Sequence, residues 1–140
     1  MKYALVLAIG LFVTRTAMAC SCANTEDVKS AFKCSSAYFL GLVVEGNERS
    51  NTTAKIRVVE GFKGVDSGSI VTVDAGGSCG TTLVTGGLYV IQASLYDGAL
   101  RTGMCTQTKE AHAAGKTLYR LRRYAWWWRL PFSGHGCRRA

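Results

Sequence analysis

The sequence predicts a mainly β protein, a small closed or nearly closed barrel of five strands with a short helix before it and a longer helix after it. Three observations support this prediction. Short β-rich segments recur over about 70 residues, with turn signals between them. No pattern of helical length interrupts these segments. Six cysteines in a small chain indicate that disulfides staple the fold.

The first 19 residues have the parts of an export signal. Lys2 supplies positive charge, residues 3–13 form an apolar run of 11 residues, and Ala-Met-Ala at 17–19 fits the small-x-small cleavage rule. The run is too short to span a bilayer. We therefore expect a signal peptide over residues 1–19 and a mature chain that is secreted, or periplasmic or cell-envelope in a bacterium. The alternative is a lipoprotein signal, which would leave Cys20 acylated.

The cysteines predict a disulfide framework. Removing 19 of the 140 residues leaves 121, enough for one domain with a modest core. An even number of cysteines in a small exported chain predicts three disulfides, and spacing alone permits 15 pairings. Only Cys20 and Cys22 lie close together, so a structural zinc site is not expected. No cofactor is expected either. The six cysteines are Cys20, Cys22, Cys34, Cys79, Cys105 and Cys137.

The basic charge is concentrated near the C terminus. The net charge of +8 becomes +6 when Lys2 and Arg15 leave with the signal, and residues 107–140 carry eight basic residues and one acidic residue, or +7. The body, residues 20–106, therefore has a net charge of −1 (+6 minus +7). A nucleic-acid-binding domain spreads its basic residues over a folded face. No nucleic-acid partner is therefore expected.

The body predicts one short helix followed by strands. Asn24 or Thr25 can cap a helix that ends near Cys34. Its apolar face consists of Val28, Ala31 and Phe32. The segments with strand patterns are residues 38–44, 52–63, 70–73, 88–95 and 100–104.

Two local signals refine the strand prediction. Apolar residues occupy alternate positions from Ala54 to Val58, and Val59 breaks this register near Gly61, which predicts a β-bulge. The Asp-Gly pair at 97–98 predicts a tight hairpin between the last two strands. An open sheet of these strands would expose two unpaired edges, whereas a closed barrel exposes none. We therefore expect the strands to close into a barrel.

A glycine-rich connector follows the third strand, over residues 75–82. Gly76, Gly77 and Gly80 surround Cys79, which predicts a flexible segment that only a crosslink would immobilise. A phosphate cradle is not expected, because no Lys-Ser or Lys-Thr follows and no βα unit surrounds the glycines.

Residues 107–140 predict a helix followed by a basic aromatic tail. The apolar stripe of the helix is Ala111, Ala114, Leu118, Leu121, Ala125 and Trp128, opposite a basic face of Lys116, Arg120 and Arg123. Three tryptophans among arginines suit a membrane interface or an anionic surface polymer. This group is Trp126, Trp127 and Trp128 with Arg120, Arg122, Arg123 and Arg129. The alternative is that Trp128 packs on the barrel and the rest forms a sticky end.

No catalytic constellation is present in the sequence. The only histidines are His112, expected on the exposed side of the last helix, and His135, in a glycine-flanked tail. Neither is placed to activate a cysteine nucleophile. We therefore do not expect an enzyme.

One family combines these features in the same order. The shared features are Cys20-Ser21-Cys22 behind a signal peptide, Ala31-Phe32 before Cys34, an apolar strand, residues 55–64, Ser78-Cys79-Gly80, and the hairpin from Tyr96-Asp97-Gly98 to Cys105. This order resembles the inhibitory domain of tissue inhibitors of metalloproteinases. The resemblance covers residues 20–105. That domain belongs to the netrin-like modules, so the resemblance implies the oligosaccharide/oligonucleotide-binding (OB) barrel over residues 20–106.

The resemblance implies a pairing and a mechanism. The expected disulfides are Cys20–Cys79, Cys22–Cys105 and Cys34–Cys137. The amine and carbonyl of a mature Cys20 would chelate the zinc of a target metalloendopeptidase, and Ser21 would enter the pocket beside it. Further target contacts would come from Gly77, Ser78, Cys79 and Gly80.

A different class of function stays open beside this one. The chain would then be a non-inhibitory netrin-like binding module, attached to the cell envelope with or without a lipid on Cys20. Its basic aromatic tail would make the contact. The inhibitor requires an unmodified Cys20 amine, whereas the binding module does not.

Overall fold

One helix comes first in the chain, six strands follow it, and a 3-10 turn and a second helix come last. The computed structural model describes residues 20–22, 27–49, 51–130 and 137. The elements are α1 (Val28–Cys34), β1 (Ala37–Glu45), β2 (Thr53–Lys63), β3 (Ile70–Asp74), β4 (Leu88–Tyr96), β5 (Ala99–Arg101), β6 (Lys109–Glu110), a 3-10 turn (Ala111–Ala113) and α2 (Gly115–Trp128). The predicted export signal lies outside the described residues.

Five strands close into a barrel. Strand β1 pairs with both β2 and β4, and the remaining pairs are β2–β3, β3–β5 and β4–β5. The β3–β5 pair is parallel, and the other pairs of the ring are antiparallel. This ring confirms the predicted mainly β, OB-fold-like barrel, with one helix before the barrel and one after it. The short strand β6 adds to β4 outside the ring, and its two residues are too few to give a sequence pattern.

Strand β2 has the alternation and the bulge that the sequence predicts. Ala54, Ile56 and Val58 are buried. In the pairing with β1, Leu40 faces Glu60 whereas Gly41 faces Val58, so Val59 has no partner in β1. The side chain of Val59 is 50% exposed. Val59 thus lies on the exposed side of β2 with Lys55 and Arg57, and the bulge is the break in pairing with β1 at this residue.

Helix α1 begins later than predicted. Its N-cap is Asp27, whose side chain accepts a hydrogen bond of 2.8 Å from Ser30 N, rather than Asn24 or Thr25, which lie outside the described residues. This hydrogen bond lowers the pKa of the Asp27 carboxyl below its usual range. Both Asp and Asn are good caps. The position of the residue selects the N-cap, because only Asp27 lies directly before Val28, the first residue of the apolar face.

The C-terminal end of α1 is held by a lysine from β2. Lys63 Nζ donates hydrogen bonds to Phe32 O at 2.8 Å and to Lys33 O at 2.9 Å. These carbonyls belong to the last turn of a helix, where no backbone N–H is available for them. Burial lowers the pKa of Lys63 below its usual range. The lysine therefore caps the negative end of α1 from the barrel.

Helix α2 is shorter than the apolar stripe predicted from the sequence, which begins at Ala111. A 3-10 turn occupies Ala111–Ala113, and the α-helix begins at Gly115. Gly115 is thus the first helical residue, so it does not carry the cost of a glycine inside a helix. Ala114, Thr117 and Leu121 are buried against the barrel.

Two apolar clusters stabilise the fold. One fills the barrel and includes Phe39, Ile56 and Ile91. The other lies between the barrel and the helices and includes Phe32 and Leu121. Each helix is therefore held by packing on one face and leaves its other face to the solvent.

Candidate functional site

Cys20, Ser21 and Cys22 form an exposed segment that is fixed at both ends, and we call it the N-terminal segment. Cys20 is bonded to Cys79 and Cys22 to Cys105, with Cα–Cα distances of 5.6 and 5.1 Å. Ser21 and Cys22 are exposed, and Cys20 is half-buried. The bonded residues lie far apart in sequence: the separation is 59 residues for Cys20–Cys79 and 83 residues for Cys22–Cys105. The structure thus brings three distant regions of the chain together.

The third disulfide joins Cys34 to Cys137, with a Cα–Cα distance of 4.9 Å. All three pairings are those that the family resemblance implies. No described cysteine is free. Three disulfides indicate that the protein folds in an oxidising compartment.

The glycine-rich connector is held by its backbone as well as by a crosslink. Gly77 has φ +91°, which favours glycine, and Gly80 N donates to Gly77 O at 3.1 Å. Met104 N donates to Cys79 O at 3.1 Å. The expectation that only a crosslink would immobilise this segment is therefore wrong. The segments that carry Cys79 and Cys105 are hydrogen-bonded to each other before either disulfide is considered.

Ser78 lies directly under the N-terminal segment. Its carbonyl oxygen is 3.2 Å from Cys20 Sγ. Because this sulfur is bonded to Cys79, it carries no hydrogen, and the approach is a close contact rather than a hydrogen bond. The connector residues Gly77 and Ser78 are exposed beside Cys20.

Asp74 organises this end of the barrel, and the sequence interpretation missed it. Its Oδ1 accepts from Gly76 N at 3.1 Å, and its Oδ2 lies 3.5 Å from Arg101 Nε. Its carbonyl accepts from Thr102 N at 2.9 Å. Arg101 also lies over the ring of Tyr96, with its Cζ 4.7 Å from the centroid. An aspartate two residues before a glycine is a turn signal that could have identified it.

The segment around Cys105 rests on a buried polar network. The hydroxyl of Thr102, which is buried, donates to Gln92 O at 2.8 Å and makes a second hydrogen bond of 2.6 Å with Thr108 Oγ1. Strand β5 therefore ends at Arg101, earlier than the predicted residue 104. After Arg101 the strand ladder stops, and the chain is held by single backbone hydrogen bonds to Asp74 and Cys79 together with the side-chain hydrogen bonds of Thr102. This network fixes the chain on which Cys22 is anchored.

The described residues include no cluster of metal-ligating side chains. No group of three or more His, Cys, Asp or Glu is arranged there to hold a metal ion. His112 Nδ1 lies 3.0 Å from Glu110 Oε2, and both side chains are exposed. The zinc in the predicted mechanism belongs to the target enzyme and would meet main-chain atoms of Cys20.

The three adjacent tryptophans have different surroundings. Trp128 is half-buried and packs its ring against the edge of Phe32, with centroids 5.5 Å apart. Trp126 and Trp127 are 63% and 52% exposed and contact each other in a T-shaped pair. The structure thus confirms packing for Trp128 and leaves two rings in the solvent.

Arg122 is the one arginine of the predicted basic tail with an ion pair among the described residues. It is bound to Glu60, with an Nη2–Oε2 distance of 2.8 Å. This hydrogen bond raises the pKa of Arg122 above its usual value. No helix among the described residues is both long and apolar enough to cross a membrane.

No family model matches this sequence, and no curated protein matches it significantly. The resemblance to metalloproteinase inhibitors therefore depends on the residues quoted above and on the barrel and disulfides just described.

Proposed function

We propose that the mature, secreted protein inhibits a zinc metalloendopeptidase by placing the amine and carbonyl oxygen of Cys20 on the catalytic zinc. The observation that supports this proposal most directly is the covalent clamp on the N-terminal segment. Two disulfides within three residues hold an exposed terminus against two segments that are themselves hydrogen-bonded through Met104 N and Cys79 O.

The chemistry follows from the open position of a protease zinc. Catalytic zinc sites have three protein ligands and leave the fourth position to the attacking water. A neutral α-amine and the carbonyl oxygen of the same residue form a five-membered chelate, and this chelate would displace the water. Ser21 is exposed next to Cys20, where its side chain would enter the pocket that receives the residue after the cleaved bond.

The clamp lowers the entropic cost of binding. Fixing the backbone of one residue costs about 1 to 2 kcal/mol, so ordering three free residues on a target would cost about 3 to 6 kcal/mol. The disulfides and the hydrogen-bonded connector order these residues before binding. More of the contact energy then appears as affinity.

The proposal predicts a pH dependence. Only the unprotonated amine binds zinc, and an α-amine ordinarily has a pKa of about 7.7 to 8.0, so deprotonation costs about 1 kcal/mol at pH 7. Inhibition should therefore become tighter from about pH 6 to about pH 8. The measurement is the inhibition constant across this range, corrected for the titration of the protease itself. A constant affinity would contradict ligation by the amine.

The decisive experiment compares the mature protein with a version that carries one extra alanine before Cys20. The extra residue converts the amine into an amide, and we expect inhibition across a panel of zinc proteases to fall by at least about a hundredfold, which corresponds to about 2.7 kcal/mol. The matched control carries one extra alanine at the C terminus. Equal melting temperatures would show that all versions fold. Equal potency of the two N-terminal versions would refute chelation.

The competing hypothesis is the envelope-associated, non-inhibitory module. It requires no free amine and is compatible with an acyl chain on Cys20. The mass of the N-terminal peptide of the native protein tests whether Cys20 has the free amine that the inhibitor needs. An acylated Cys20 would rule out the inhibitor, whereas an unmodified one is compatible with both hypotheses and leaves the decision to the inhibition assay.

A further inference from the structure

A groove of about 620 Å³ lies between the two helices, away from the residues of the N-terminal segment. Its cationic residues come from both helices. Lys29 and Lys33 lie on α1, and Arg120 and Arg123 lie on α2. No acidic residue is among the described residues that line it. The two lysines were not part of the sequence interpretation, because only the packing of α1 against α2 brings them to the arginines.

These four cations have no ion-pair partner among the described residues. Two other cations nearby do have partners. Arg122 is bound to Glu60 at 2.8 Å, and Lys63 caps the carbonyl end of α1. Four cations without an ion pair among the described residues therefore lie together at this groove.

Exposed aromatic rings accompany this charge. Tyr119, Trp126 and Trp127 are 68%, 63% and 52% exposed, and Leu130 beyond the helix is 37% exposed. From residue 119 to residue 130 a helical path covers about 16 Å. The apolar groups thus form an extended strip beside the cations rather than a pocket around one point.

The groove is rigidly built. Trp128 packs on Phe32 at its floor, and Lys63 Nζ lies 4.9 Å from the centroid of the Trp128 ring. The Cys34–Cys137 disulfide ties the chain beyond α2 back to the last residue of α1. The cations and exposed rings are consequently presented from a fixed frame.

We propose that this helix pair is a peripheral docking surface for an anionic phospholipid bilayer. Lysine and arginine attract anionic headgroups, while tryptophan and tyrosine settle at the level of the headgroups. A soluble polyanion would use the four charges but would leave the aromatic strip in water. A flat interface uses both. The docking surface shares no residue with the N-terminal segment, so the two activities can be tested separately.

The test uses the full mature chain with its disulfides intact. Sedimentation with vesicles of phosphatidylcholine alone, or of phosphatidylcholine and phosphatidylglycerol in equal amounts, gives the partition coefficient, and tryptophan emission reports insertion. We expect binding to the mixed vesicles with a blue shift. The double variant Arg120→Gln/Arg123→Gln should lose about 25-fold in partition, from about fivefold per cation. The matched control, Arg49→Gln/Arg57→Gln, removes the same charge outside the groove. It should change the partition coefficient less than twofold.

A second variant tests the rings. Trp126→Ser/Trp127→Ser should remove most of the blue shift and lower the partition at least tenfold, since both residues are more than half exposed. Binding without a blue shift would show a soluble-polyanion type of contact and overturn the bilayer proposal. Equal losses in the groove and control variants would overturn it too, as would the absence of binding to mixed vesicles.

Discussion

Lys63 should contribute more to folding stability than its position at the end of a strand suggests. The informative substitution is Lys63→Met, because methionine keeps most of the apolar stem and removes the ammonium. The ammonium makes two hydrogen bonds, at 2.8 and 2.9 Å, to the last carbonyls of α1. It also lies 4.9 Å from the centroid of the Trp128 ring. One atom therefore links the barrel to both helices.

The expected loss follows from these contacts. Hydrogen bonds with a charged partner contribute about 1.5 to 3 kcal/mol each, so the two bonds give about 3 to 6 kcal/mol before corrections. The charge is partly removed from water, as its lowered pKa indicates, and the substitution recovers this desolvation cost. We expect a net loss of about 2 kcal/mol, which lowers the melting temperature by about 8 °C in a domain of this size.

The assay is thermal and urea unfolding with the disulfides intact. The matched control is Lys55→Met on the same strand, where the lysine is exposed and forms a 2.8 Å ion pair with Glu45. An exposed ion pair contributes about 0 to 1 kcal/mol. Equal changes for the two substitutions would refute the argument that Lys63 caps α1. Amide exchange in α1 should become faster only in Lys63→Met.

Four further variants test other parts of the fold. Tyr38 is buried, and its hydroxyl has no hydrogen-bond partner among the described residues. Tyr38→Phe should therefore be neutral or stabilising by about 1 kcal/mol at pH 7. Burial also raises the pKa of the Tyr38 hydroxyl. Above the unfolded pKa of 10.0 only the unfolded tyrosine ionises, so the wild type should lose stability relative to Tyr38→Phe as pH rises, measured by urea unfolding. Replacing Cys22 and Cys105 together by serine opens a crosslink with a sequence separation of 83 and should cost about 4 kcal/mol in the same assay. Gly98 has φ +78°, so Gly98→Ala should lower stability by about 1 kcal/mol, whereas Gly115→Ala, at the first residue of α2 where an added Cβ meets open space, should change it by less than about 0.5 kcal/mol; calorimetry that finds equal losses for both would contradict this account.

The sequence by itself determined what depends on near neighbours. Alternating apolar residues predicted β2 and its bulge at Val59, and the Asp-Gly pair at 97–98 predicted the β4–β5 hairpin. Three- and four-residue spacing predicted both helices. These features follow from contacts within a few residues, so a local pattern is sufficient. The number of disulfides also followed, since it needs only a count and a compartment.

The tertiary structure decided what depends on chain closure. Cysteine spacing permits 15 pairings, and only the folded barrel brings Cys20 to Cys79 and Cys22 to Cys105. The parallel β3–β5 pair, the ion pair of Asp74 with Arg101 and the approach of the lysines of α1 to the arginines of α2 have no local signature. Each joins residues far apart in sequence through the register of the strands and the packing of the helices. Local propensity does not determine these long-range contacts, because they form only when the ring of strands closes.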